Sequence, residues 1–128
     1  MIRLIDAVNF NEFYKAIKDQ KMSGLLAYKL AKLVSVSLVP EQKIYTDRLR
    51  ETVLAKAELD EKGQPKAAQN VFGVQIKSGE EVTLMQEILD LQNVEIDVKP
   101  VFTMDELSAL MATPEQFQTA LPFIIEEE

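Results

Sequence analysis

From Leu26 to Ala57 apolar residues recur three and four positions apart, first Leu26, Leu30, Leu33 and Val34, then Ile44, Tyr45, Leu49, Val53 and Ala57. This is the period of one face of an α-helix. A single proline, Pro40, falls between the two halves. Proline lacks the backbone donor that a helix interior needs and pushes the residue before it, here Val39, away from helical angles, at about 3 kcal/mol. The pattern therefore predicts one long helix over 23–58, kinked at Pro40, with two helices in sequence as the alternative. In a chain of 128 residues, whatever else forms must be arranged around such a rod.

The flanking segments read as shorter elements. Met1 to Ile5 is a short apolar start that suits an extended segment, and Asn9 with Glu12 has the capping-box spacing that opens a helix. Phe10, Phe13, Tyr14 and Ile17 then lie on one helical face. After the long helix, residues 60–65 (Asp-Glu-Lys-Gly-Gln-Pro) have the chemistry of a turn. Residues 71–76 read as a short strand from their β-branched and aromatic content, and 94–98 as a second, because Val94, Ile96 and Val98 alternate with Glu95 and Asp97. A helix over 79–92 separates them, introduced by Ser78 and Glu81 and carrying Val82, Leu84, Met85, Ile88, Leu89 and Leu91. Thr103 with Glu106 and Thr113 with Gln116 open two short C-terminal helices, the second with Pro114 at the favoured first position. Residues 122–125 are expected to leave the last helix extended, and Glu126 to Glu128 to remain in solvent. The fold class is α+β, predominantly helical, in a single domain with a helical half over 1–60 and a mixed half over 66–128.

Composition removes most enzyme chemistry. The chain has no cysteine and no histidine, so disulfides, thiolate nucleophiles, imidazole bases and the common zinc sites are excluded. Ten basic and eight acidic groups in residues 1–60 become four basic and thirteen acidic in 61–128, for a net charge of −7. Sequence-blind binding to nucleic acid or to an anionic membrane is disfavoured by that balance. No apolar run reaches the length of a bilayer span, and the start lacks the apolar stretch of a secretory signal, so the expectation is a cytoplasmic protein.

The remaining candidates for chemistry each have a plain alternative. Glu80, Glu81, Asp105, Glu106 and Glu115 stand in the first turns of expected helices, where carboxylates satisfy unpaired backbone donors. Glu95 and Asp97 would share one face of a strand and could hold a magnesium ion only with a third ligand that the sequence does not identify. Gly24, Gly63, Gly73 and Gly79 are isolated, so no phosphate-cradling loop or dinucleotide fingerprint exists. Lys15, Lys18, Lys21, Lys29 and Lys32 form the one locally basic stretch, with Tyr14 and Tyr28 nearby. It reads as a solvated helical face before it reads as a phosphate-contacting one. No catalytic, cofactor-binding or metal-binding residue is assigned. Leu26, Leu30 and Leu33, with Tyr28 and Tyr45, are the candidate interaction surface, core being the default for the leucines and half of an intermolecular helix pair the alternative.

One resemblance adds to this reading. The run from Ala27 to Leu33, the residues Arg48-Leu49-Arg50, the turn from Glu58 to Pro65, the segment from Val94 to Pro100, and the closing series Asp105-Glu106-Leu107, Thr113-Pro114 and Leu121 to Ile124 occur in an order that resembles a family of small proteins of tailed phages and prophages. The resemblance covers roughly residues 20 to 125 and rests on structural signals, and that family brings no assigned activity or functional residues with it. It implies a non-catalytic phage protein acting by protein–protein contact, in virion assembly or on a host factor. The expected partner is a protein, whether a second copy, a virion component or a host protein, with the chain in host cytoplasm or associated with a virion. A divalent-metal-dependent enzyme and a nucleic-acid-associated protein are the alternatives.

Overall fold

The computed structural model describes residues 2–125, and 59% of these described residues are helical. Helix α1 spans Leu4–Ile17, α2 Gly24–Lys32, α3 Val39–Ala55, α4 Glu81–Gln92, α5 Met104–Ser108 and α6 Pro114–Ala120. A π-helical segment, Leu33–Leu38, joins α2 to α3 without a break, giving a continuous run of 32 residues, and a 3₁₀ turn, Leu121–Phe123, follows α6. By its internal contacts the chain forms two compact units, residues 1–43 with 94–128, and residues 44–93. The turn over 60–65 thus lies inside the second unit.

The first unit is built around phenylalanine. Phe10 of α1 lies with its ring centroid 4.5 Å from Phe123, 5.4 Å from Phe13 and 5.9 Å from Phe102, tilted or offset arrangements that suit the ring quadrupoles. Leu26, Leu30, Leu33, Val34 and Leu38 close the same core from the long helix, and Leu107, Leu110 and Ala120 from the C-terminal elements. Helix α1 begins earlier than Asn9, the expected cap. Asp6, at the third helical position, accepts the Arg3 backbone N–H at 2.9 Å and stabilises the first turn there. Leu4 and Ile5 are therefore helical, and the extended part of the expected start shrinks to a bridge between Arg3 and Glu95, Met1 lying outside the described residues. Ser23 caps α2 by accepting from the Leu26 N–H at 3.2 Å. Both C-terminal capping boxes form as expected, Thr103 with Glu106 and Thr113 with Gln116.

Pro40 does not push Val39 out of the helix, since Val39 keeps φ −63° and ψ −45°. The adjustment precedes it. The Val39 N–H donates to the Val34 carbonyl, five residues back, so the ladder widens by one residue just before the proline. In an α register the proline ring would press on the carbonyl four residues behind it, and the π turn opens that space.

Neither expected strand forms, and the β part of the α+β expectation reduces to isolated bridges among the described residues. In 94–98 the Ile96 N–H pairs with the Ile2 carbonyl at 3.0 Å, but the Val98 N–H turns back onto the Ile96 carbonyl at 3.0 Å, which ends the extended course. The alternation survives in part as burial: Ile96 and Val98 are half-buried, whereas Val94 is exposed like Glu95 and Asp97. In 71–76 the first residues are turn. Asn70 accepts the Phe72 N–H through its side chain and the Gly73 N–H through its carbonyl, and Gly73 has φ +74°, so only Val74 and Ile76 make bridges. Residues 122–125 begin as a 3₁₀ turn, and only Ile124 is extended, bridging to Phe102. Glu126 to Glu128 lie outside the described residues.

Candidate interaction cleft

In the second unit the end of the long helix and α4 run antiparallel. Gln92 Nε2 donates to the Tyr45 hydroxyl at 3.3 Å at one end of the pair, and Lys56 Nζ lies 3.2 Å from Glu80 and 3.7 Å from Glu87 at the other. Lys56 is held above its ordinary pKa chiefly by its hydrogen bond to Glu80. Between the ends Val53, Ile76, Leu84 and Ile88 form a small core, with Leu49, Phe72 and Val74 packed against it. Residues 57–77 fold back over one side as paired turns. Asp60 Oδ1 accepts from the Lys62 and Gln64 N–H groups at 2.9 Å each, and Gly63 supplies the positive φ that the turn requires.

That cover is incomplete and leaves an open, largely apolar cleft of about 730 Å³. Tyr45, Leu49, Val53 and Leu54 line it from α3, Met85, Ile88 and Gln92 from α4, and Val71, Phe72 and Val74 from the turn region. The α3 and α4 positions recur at helical spacing, so the cleft is a groove along a helix pair, about 12 Å long from Tyr45 to Val53 at 1.5 Å per residue. Arg50 is its one charged lining residue. No carboxylate pairs with Arg50 among the described residues. Val71 is 92% exposed and Met85 51% exposed, so much of the apolar lining is open to water.

The five residues singled out from sequence do not come together. Leu26, Leu30 and Leu33 are buried in the core of the first unit and present no free surface. Tyr28 is exposed on that unit with Lys32 Nζ 5.9 Å from its ring centroid. Only Tyr45 belongs to the cleft. The alternative candidates are dispersed too. Lys15 pairs with Glu12 at 3.0 Å and Lys29 with Glu106 at 2.9 Å. Glu95 and Asp97 are exposed, and among the described residues no group of three potential metal ligands occurs. Sequence reasoning missed Arg50, Val71 and Phe72. The one available signal was the excess of apolar residues in α4, where Val82, Met85 and Leu89 stand on a different side from Leu84, Ile88 and Leu91.

No helix among the described residues is long and apolar enough to cross a membrane. Compared with known protein families, curated proteins and solved structures, the chain matches none.

Proposed function

We propose that this chain is a non-catalytic protein that works by protein–protein contact, and that the cleft of its second unit is the contact surface. The observation that carries the reading is the apolar lining left open between α3 and α4, with Val71, Leu54 and Met85 all in contact with water. Contiguous exposed apolar surface of this kind costs solvation free energy in the free protein and recovers it when a partner covers it. A groove bordered by two helices and one cation suits a macromolecular face better than a reaction, because its lining is mostly apolar and its two hydroxyls, Tyr45 and Thr46, have no carboxylate or lysine beside them in that lining. The phage setting that the sequence resembles gives two contexts for such contact, assembly of a virion and engagement of a host factor.

The test is affinity capture with the tagged full chain from infected and uninfected host lysate, read by mass spectrometry, beside the variants Val71→Glu and Leu54→Glu. Both positions are exposed, so the substitutions leave the protomer folded. A protein, the chain itself included, that is enriched by the wild type and lost with both variants is the expected result. Recovery that ignores both substitutions, or no recovery at all, overturns the reading.

A further inference from the structure

We infer that the occupant of the cleft is the same face of a second copy of this chain, so that the two α3–α4 pairs close into an antiparallel four-helix bundle. The inference rests on the reading of the cleft as a protein-contact surface and names its partner. Helix α4 carries two apolar stripes. Leu84, Ile88 and Leu91 are buried within the protomer, whereas Val82, Met85 and Leu89, at the spacing i, i+3, i+7, are 82%, 51% and 47% exposed. A helix that is apolar on two sides is built to be covered on both.

The second stripe and the cleft are one surface, because Met85 belongs to both. A face that combines an apolar ridge with the groove beside it meets the requirement of a two-fold dimer, in which the same patch serves both partners. With the axis passing through Met85, α4 packs antiparallel on its copy, and Val82 of each protomer comes beside the partner's Leu89. The charges then fall into place. The pairs Tyr45–Gln92 and Lys56–Glu80 set Arg50 close to the level of Glu87 on its own α4. The same axis brings the partner's Glu81 within about two residues' rise of that level, roughly 3 Å along the helix. Glu81 flanks the exposed stripe and is itself exposed, and it is the carboxylate that Arg50 lacks within its own protomer. The size of the unit favours the same outcome. In residues 44–93 seven apolar side chains are buried, and four of them, Val53, Ile76, Leu84 and Ile88, form the unit's core cluster; a unit this small gains core by oligomerising.

Sedimentation velocity of the full chain from about 1 to 300 µM, a span that brackets ordinary homodimer affinities, tests the inference. The expected result is a dimer at tens of micromolar. Val82→Glu and Met85→Glu are each expected to give a monomer of unchanged helical circular dichroism, since neither side chain is needed within the protomer. Arg50→Glu is expected to weaken the dimer at least about tenfold, and Arg50→Glu combined with Glu81→Lys to recover much of that loss. A chain that stays monomeric across the range, or a dimer indifferent to both stripe substitutions, overturns the inference. A monomer that still captures another protein through Val71 and Leu54 overturns the second copy as occupant and leaves the contact function standing, whereas a monomer that captures nothing overturns both.

Discussion

At Thr103 a single turn of helix is held by three charged or polar groups acting on one another. The Thr103 N–H donates to Glu106 Oε1 at 2.9 Å, the Glu106 N–H donates to Thr103 Oγ1 at 3.2 Å, and Lys29 Nζ, from α2, lies 2.9 Å from Glu106 Oε2. The backbone N–H of Thr103 and then Lys29 hold the Glu106 carboxyl below its ordinary pKa. A carboxylate whose pKa is lower in the folded than in the unfolded chain adds stability above the unfolded value and loses it as pH falls through the folded one. In a pH series of thermal melts, the gap between wild type and Glu106→Gln is expected to be widest at neutral pH and to close as pH drops below about 4.5. A gap independent of pH would refute the ionic contribution. Thr103→Ala is expected to cost about 1 kcal/mol in denaturant titrations, the usual value of an N-cap. Both residues were legible in the sequence because a capping box is a bond between positions i and i+3. The start of α1 was not, because Arg3 is not a capping residue and the signal was carried by Asp6 alone.

The elements show where local pattern suffices and where it is overruled. Helix α6 and its proline, the helix over 81–92 and the long run from α2 into α3 follow from periodicity, and Pro40 changed the hydrogen-bond register without ending the helix. The strands failed for a reason that period two does not encode. A strand needs a neighbour of matching length, and 94–98 meets only the two or three residues ahead of α1, while 70–73 is committed to a turn by Asn70 and Gly73. Gly73 has φ +74° and open space around it, so the penalty for a side chain there is conformational rather than steric. Gly73→Ala is expected to destabilise the protein by about 1 to 2 kcal/mol. Gly24→Ala, in a helix at ordinary φ and with nothing nearby, is expected to be neutral or stabilising by up to about 1 kcal/mol. Denaturant midpoints of the two variants check the contrast, and equal effects would contradict it.

Across the whole molecule the apolar residues divide by what covers them. Phe10, fully buried among three other rings, is expected to cost about 3 to 5 kcal/mol on replacement by alanine. Met85→Ala, at a half-exposed position, is expected to change protomer stability by less than about 0.5 kcal/mol while weakening self-association, and urea melts at low protein concentration separate the two effects. Leu26, Leu30 and Leu33 and the residues Val82, Met85 and Leu89 obey the same helical spacing, and no feature of the spacing tells one set from the other. The sequence by itself determined the predominance of helix, the position of the long run, the two C-terminal caps and the turn at Gly63, because each depends on bonds or side-chain spacing within a few residues. Only the tertiary structure decided that the leucine ridge is core, that the strands reduce to bridges, and that Tyr45, Arg50, Val71 and Met85 share one open cleft. Those outcomes depend on which distant residues arrive to cover a surface, and local spacing carries no record of them.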